Sequence, residues 1–380
     1  MRSWTAALLL PLTLVACAPE EDDESYDATL LEQYRTALPS ADRLESGVPT
    51  PGSQPGALAL GVDSEIAALA IEAAVAINEP VAELVATLEA ISTLPPTLYD
   101  STTREFLWGP WPNEDGVGNV LAYIRENEPG ADFQYSYAFA RLMGDDVASA
   151  APIVAGGASP DAVDPDLGVG VTLWDMDLNN AFDETHDPDF DANRQRSRGR
   201  VAILYGADTE GDGEFYFDVA VLRDFVGEDS EKDAPPADAE LLYGHTKTDG
   251  VARHFLDWVI EGDLCDATAE SCFESNVVDD RDETLAFRAA FLGTAGRGEA
   301  RLSGGDLSTN VNVVECWNAM LQTTYFAVGD DTRTFEEGAC TGKEGVSLAD
   351  GGVPTLDQID TDLIDALDCV ASKGYRACEQ

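Results

Sequence analysis

The sequence predicts a mainly β protein of the α+β type: an antiparallel β-meander that forms a curved sheet or barrel, with N-terminal helices packed on it. From residue 103 onward, short segments of alternating apolar and polar residues follow one another, separated by tight-turn signals. Phe133, Tyr135, Tyr137 and Phe139 alternate strictly, which predicts a strand with four aromatic side chains on one face. No helical pattern lies between most of these segments, so antiparallel order is favoured over parallel order. We expect a meander of about ten strands or more.

The first 17 residues have the organisation of a secretory signal peptide. Arg2 precedes an apolar run over residues 6–15, which is too short to span a bilayer stably. The run leads into Leu14-Val15-Ala16-Cys17, which resembles the lipobox of bacterial lipoproteins. The resemblance implies cleavage before Cys17, lipidation of Cys17 and anchoring by acyl chains. It also implies the outer membrane, at its periplasmic or its surface face, because Ala18 is not the Asp that favours inner-membrane retention in that family.

The chain divides into five segments. They are a signal peptide (1–16), a lipid-anchored, acidic and Pro-rich tether (17–61), a helical segment (62–98), an antiparallel β domain (99–330) and a disulfide-tied C-terminal tail with a helix (331–380).

Helices are predicted at both ends of the chain. A short helix fits residues 27–37, and two helices fit the helical segment, at 64–77 and from Pro80 to Ser92. The second has an apolar face made by Val81, Leu84, Val85, Leu88 and Ile91. A short helix is also expected near Trp317, and an acidic amphipathic helix over 356–371.

Two predicted hairpins bear on possible sites. One joins residues 198–206 to 214–225, and the other joins 239–247 to 251–261. With a turn at 248–250, His245 lies opposite Arg253 and His254 points to the other face, which argues against a shared histidine site.

The charge of the chain is extreme. There are 72 Asp and Glu residues against 22 Lys and Arg residues, for a net charge of −50. Such a surface repels nucleic acid, so a DNA- or RNA-binding role is excluded. A surface adapted for solubility, divalent cation binding and attraction of a basic partner all remain open.

Besides Cys17 there are six cysteines, all beyond residue 260: Cys265, Cys272, Cys316, Cys340, Cys369 and Cys378. An even number in an exported chain predicts disulfides. Sequence neighbours make the most economical pairing, Cys265–Cys272, Cys316–Cys340 and Cys369–Cys378.

The loop 175–191 is the richest polar cluster. Its candidate metal ligands are Asp175, Asp177, Asn179, Asp183, Glu184 and Asp187. Oxygen ligands spaced two residues apart suit a hard cation such as Ca²⁺. The loop lacks the glycine and the terminal glutamate of an EF-hand, and a solvated acidic loop that binds nothing tightly is the alternative.

Catalytic motifs are missing from the sequence: there is no nucleophile elbow, P-loop, H-E-x-x-H or dinucleotide fingerprint. The chain resembles large acidic envelope lipoproteins of unassigned function, and its layout is similar to that of periplasmic lipoprotein carriers. We expect a non-catalytic envelope lipoprotein whose β domain binds a ligand or a protein partner. The alternatives are a carrier that holds an apolar ligand between helices and sheet, and a metal-dependent hydrolase that uses the 175–191 loop.

Overall fold

The protein is built around one antiparallel sheet, as the sequence predicts. The computed structural model describes residues 26–39, 41–44, 63–113, 116–164, 167–192, 194–208, 214–227, 236–248, 251–262, 283–305, 307, 309–329 and 361–373. The sheet has 14 strands, each hydrogen-bonded to the next in sequence order. Over the described ranges, the first and the last strand do not pair with each other, so the sheet is open rather than closed.

The longest strands lie near the middle of the sheet. They are β1 (Leu98–Asp100), β2 (Glu105–Pro112), β3 (Asn119–Glu126), β4 (Tyr135–Leu142), β5 (Ala151–Ser159), β6 (Val169–Asp175), β7 (Arg198–Asp208), β8 (Glu214–Val226), β9 (Ala237–Thr248), β10 (Val251–Gly262), β11 (Glu283–Leu292), β12 (Ala295–Gly304), β13 (Val311–Trp317) and β14 (Thr323–Gly329). The helix expected near Trp317 is therefore wrong. The side chain of Trp317 is fully buried beside Phe291, 5.2 Å between ring centroids, because an aromatic residue packs well on a sheet face.

Within the described ranges, five α-helices accompany the sheet. They are α1 (Ala28–Arg35), α2 (Ala41–Leu44), α3 (Glu65–Thr93), α4 (Met176–His186) and α5 (Thr361–Lys373). The helices predicted near 27–37 and 356–371 are confirmed as α1 and α5. The two predicted at 64–77 and 80–92 are one continuous helix, α3, which passes through Pro80. A proline inside a helix costs about 3 kcal/mol of helix stability, and for this reason a break was expected at Pro80. The cost is offset by one apolar stripe that packs on the sheet along the whole helix.

One face of the sheet, here called the inner face, packs against α3. Cross-strand registers place Tyr137, Tyr205, Asp218, Tyr243 and Phe287 on this face. The first half of α3 contacts the strands through alanines such as Ala67 and Ala70, both fully buried. The second half packs Leu84 and Leu88 on Ile153 and Val154 of β5.

The N-terminal segment also lies on the inner face. Tyr34 of α1 is buried against Phe106 and Tyr135, and its hydroxyl donates to the Arg104 carbonyl at 3.0 Å. In α2, Arg43 and Leu44 are buried. Residues 28–39 and 41–44 belong to the range predicted as a tether, but they form part of the packed domain. The stretch between Cys17 and Tyr26 is all that precedes it after the predicted cleavage site.

The opposite, outer face carries α5. Leu367, Val370 and Ala371 pack on apolar residues of β6 to β9, among them Val219 and Leu242. Arg223 fixes the helix by bonding the Asp368 carboxylate at 2.5 Å. The sheet is therefore covered by helix on both faces over its central strands, which explains why strands such as β8 are apolar on both sides.

Candidate functional site

The acidic segment 175–191 is mostly helical rather than a loop. Asp175 caps α4 by accepting a hydrogen bond from the Leu178 amide at 2.8 Å, and its other oxygen pairs with Arg200 Nε at 2.9 Å. Asp177 accepts from the Gly199 amide at 2.9 Å. Both carboxylates connect the start of α4 to the start of β7.

Two other members of the predicted metal set meet at Arg141 near the end of β4. Arg141 is buried, and its Nη1 lies 2.9 Å from Asn179 Oδ1 and 2.6 Å from Asp183 Oδ1. Its Cζ also lies 4.4 Å from the Phe182 ring centroid. Arg141 thereby fixes α4 to the sheet through charge-assisted hydrogen bonds and a cation–π contact.

The remaining two members lie at the end of α4. Glu184 is exposed, and Asp187 ends the helix and accepts from the Asp189 amide at 2.9 Å. Within the described parts of the chain, no three His, Cys, Asp or Glu side chains converge as metal ligands. The Ca²⁺ site stays a prediction. Five of its six residues, all but Glu184, are engaged in caps, ion pairs or hydrogen bonds that a bound ion has to compete with.

The most unusual group of side chains is a buried polar cluster on the inner face, formed by Arg43, Tyr205, Tyr216, Asp218 and Thr172 with Tyr137. Arg43 Nη1 lies 3.8 Å from Asp218 Oδ1. The Arg43 guanidinium also stands 5.4 Å from the Tyr205 ring and 5.5 Å from the Tyr216 ring. Arg43 and Asp218 retain only 6% and 7% exposure, so this ion pair is shielded from solvent.

The tyrosines of the buried polar cluster fit because glycines lie beside them on neighbouring strands. A Cβ added at Gly156 would overlap the Tyr137 ring, and one at Gly170 would overlap the Tyr205 hydroxyl. Tyr137 Oη lies 2.5 Å from Thr172 Oγ1 and 3.3 Å from the Val171 carbonyl, to which it donates. The glycines of β5 and β6 therefore make room for polar rings inside the core.

Burial dominates the electrostatics of this cluster. It raises the pKa of Asp218 to about 7, although the nearby Arg43 acts in the opposite direction. The pKa of Tyr205 is raised well above its usual value by burial and by Tyr137. Among the described residues, Arg43 Nε and Nη2 and Asp218 Oδ1 have no hydrogen-bond partner, and unsatisfied buried groups of this kind are costly.

The two strand histidines are cross-strand neighbours, contrary to the sequence argument. Thr248 rather than Lys247 pairs with Val251, and this one-residue difference places His245 opposite His254 on the inner face. His254 Nδ1 lies 3.0 Å from the Tyr243 hydroxyl, and burial lowers the pKa of His254. The hairpin itself is confirmed, but the predicted turn at 248–250 is one residue too long, because Thr248 belongs to the strand.

A second feature lies at β14, the last strand of the sheet among the described residues. Met320, Thr324, Phe326 and Val328 are exposed there, and we call these four residues the sheet-edge strip. Phe326 is 50% exposed and Met320 59% exposed. Helix α3 begins over β12 and β13, where the Ile66 amide donates to Glu315 Oε2 at 2.8 Å. The strip lies one strand beyond that point.

The cysteines support the disulfide prediction only in part. Cys316 and Cys369 are each disulfide-bonded. The other four, Cys265, Cys272, Cys340 and Cys378, lie outside the described residues, so no pair is described and the neighbour pairing stays a prediction. Cys17 and the predicted signal peptide also lie outside them.

No known protein family model, curated protein sequence or solved structure matches this chain. Among the described residues, no helix is long and apolar enough to cross a membrane. The structure therefore defines this protein by its fold class, which is an open antiparallel meander with helices on both faces.

Sequence reasoning missed both the buried polar cluster and the sheet-edge strip. Asp218 gave one usable signal, since it interrupts an apolar strand at Phe217-Asp218-Val219. Arg43 gave no signal of this kind, because it follows a short polar stretch and lies far from Asp218 in the sequence. The sequence does contain a signal for α4. Asp175 is a typical N-cap residue, and the apolar residues Leu178 and Phe182 follow it four positions apart, as on one face of a helix.

Proposed function

We propose that this chain is an exported, lipid-anchored envelope protein without catalytic activity, whose β domain binds a protein partner at the sheet-edge strip. The observation that carries the proposal is β14 itself. It is the last strand of the sheet, it pairs with β13 among the described residues, and its side chains alternate between half-buried and exposed. Phe326 on this strand is half-exposed and Met320 beside it is more than half-exposed, and apolar side chains grouped on a surface are typical of a site that a protein partner buries.

The apolar carrier hypothesis fits the inner face poorly. A Cβ added at Gly298 would overlap Ile66 of α3, and one at Gly296 would lie 2.5 Å from Trp317 Cζ2. Ala67 and Ala70 are fully buried against the same strands. Close packing of this kind leaves an acyl chain no space under the first half of α3 unless the helix moves.

The hydrolase hypothesis is weakened by the engagement of its carboxylates. Asp175, Asp177 and Asp183 hold α4 to β7 and β4 through the contacts described above. A general base or a metal ligand needs a free lone pair directed at substrate or ion. The buried polar cluster is no better placed, because α2 covers it.

A position-specific cross-linking experiment tests the partner-binding function. A photoreactive phenylalanine analogue replaces Phe326 in the full chain, expressed in a bacterium whose envelope processes lipoproteins. The control is the same analogue at Val163, which is 94% exposed and lies in a turn between β5 and β6. We expect protein adducts at position 326 and few at 163. Equal labelling at the two positions, or none at either, would contradict the proposal.

A further inference from the structure

We propose that residues 93–98, here called the neutral segment, contact the bilayer to which Cys17 is anchored. The neutral segment connects α3 to β1. In this contact the side chains of Leu94 and Leu98 enter the surface of the bilayer, and α3 points away from it. The inference rests on the lipid anchor of the proposed function, and it adds which part of the domain faces the membrane.

The neutral segment is exposed and carries no charge. Leu98 is 54% exposed and Leu94 is 38% exposed, and three of the other four residues are exposed as well. Residues 90–99 contain no Asp, Glu, Lys or Arg, although the chain as a whole has a net charge of −50. Such a segment enters the surface of a bilayer without burying a charge, and its two leucines gain from leaving water.

The chain enters the packed domain beside the neutral segment. The ring of Tyr26, the first residue that the structure describes, lies 5.2 Å from the ring of Phe106. Phe106 pairs in register with Tyr99, which directly follows the neutral segment. Arg35 of α1 also donates to the Leu94 carbonyl at 3.0 Å. A lipid anchor that precedes Tyr26 is therefore attached on the side of the domain that carries the neutral segment.

The sheet-edge strip lies at the opposite end of α3. The neutral segment starts at the last residue of this helix. Before its first turn, the Ser64 amide donates to the Leu321 carbonyl at 2.8 Å, two residues before β14. A helix of 29 residues is about 43 Å long, since each residue adds about 1.5 Å. The neutral segment and the sheet-edge strip are therefore separated by about 40 Å across the sheet.

The length of chain before Tyr26 selects between these two surfaces. Nine peptide units join Cys17 to Tyr26, and a fully extended chain spans at most about 3.6 Å per residue, or about 32 Å. If the sheet-edge strip lay on the bilayer and α3 stood upright, Tyr26 would be about 40 Å above the bilayer, beyond this reach. With the neutral segment on the bilayer the anchor is within reach, and the sheet-edge strip stays accessible to a partner.

The contact needs little affinity of its own. A short tether keeps the neutral segment at a high effective concentration beside the bilayer, so a weak contact is occupied. The charge of −50 opposes anionic headgroups, and this repulsion acts over a Debye length of about 8 Å at 0.15 M salt. Zwitterionic phosphatidylcholine removes the repulsion and is therefore the lipid for the test.

The first test places an environment-sensitive fluorescent amino acid at position 98 of the mature, lipidated chain. The protein is reconstituted into vesicles of phosphatidylcholine with or without brominated acyl chains, and bromine quenches the fluorophore only at short range. Matched reporters replace Phe326 and Val163, of which the second is 94% exposed and lies between β5 and β6. We expect bromine to quench the fluorophore at position 98 and to have little effect at positions 326 and 163.

Flotation of the same vesicles separates the inference from the proposed function. A protein that floats without quenching at position 98 keeps its anchor and overturns the inference alone. Equal quenching at positions 98 and 326 overturns it as well, because the domain then lies flat on the bilayer. A protein that does not float has no anchor, and the inference and the lipid-anchored part of the proposed function both fail.

The second test replaces both apolar side chains, with the fluorescent amino acid at the exposed Pro95 between them. Leu94→Asp together with Leu98→Asp should reduce quenching at position 95 at least about twofold, because a carboxylate resists leaving water. Val163→Asp together with Val169→Asp adds the same charges at other exposed positions and should leave quenching unchanged. Circular dichroism checks that both double variants are folded. Equal quenching in the two double variants overturns the inference.

Discussion

Asp218→Asn tests whether the buried polar cluster destabilises the protein at neutral pH. The pKa of Asp218 is about 7 in the folded protein against a usual value of 3.8, a difference of about 3.2 pH units. At 1.36 kcal/mol per unit this is about 4 kcal/mol. A carboxyl group whose pKa is raised by folding stabilises the protein fully below pH 3.8, and this contribution is lost as the pH rises to 7. Asparagine resembles the protonated acid but does not ionise, so the variant keeps this stabilising contribution at every pH.

The assay is urea denaturation of both proteins at pH 4.5, 5.5, 6.5 and 7.5. We expect the variant to gain stability over the wild type with rising pH, by up to about 4 kcal/mol, and the difference to level off above pH 7. Asp132→Asn is the matched control, because it removes one exposed carboxylate and should show no such trend. A difference that is independent of pH, or one that shrinks as the pH rises, would refute the reasoning.

Replacing Arg43 tests the other half of the ion pair. Arg43→Met should destabilise the protein more at pH 7.5 than at pH 4.5, because it leaves a buried carboxylate without its partner at the higher pH. Equal losses at the two pH values would show that Arg43 acts through packing alone.

Three further predictions address packing, the acidic segment and the anchor. Gly298→Ala should lower the free energy of unfolding, measured by urea denaturation, by about 1–3 kcal/mol, because the added Cβ overlaps Ile66. The loss should be smaller in an Ile66→Ala background, and additive losses would exclude this contact as the cause. CaCl₂ should raise the melting temperature no more than NaCl of equal ionic strength; a calcium-specific rise that disappears with Asp175→Asn and Asp177→Asn together would establish the metal site. The wild-type chain should incorporate labelled fatty acid and Cys17→Ser should not; an unlabelled wild type would disprove the lipid anchor.

The local pattern predicts the elements better than their connections. Tyr135, Tyr137 and Phe139 were assigned correctly to one face of a strand, since side chains alternate in any β-strand. The assignment of Phe133 was wrong, because it precedes β4 and packs with the apolar cluster of the outer face. The His245–His254 pair was missed by one residue of register, which depends on the neighbouring strands β8 and β11 as well as on the turn. The α3 helix was split at Pro80 because its packing partner, the inner face, is distant in the sequence.

The sequence by itself determined the mainly antiparallel β class, because period-two alternation and turn residues are local properties that need no partner. Only the tertiary structure decided that residues 28–39 and 41–44 pack on the sheet, that the acids of α4 bind Arg141 and Arg200, and that Arg43 meets Asp218. Each of these contacts joins segments far apart in the chain, and a buried ion pair leaves no periodic signal in either of them.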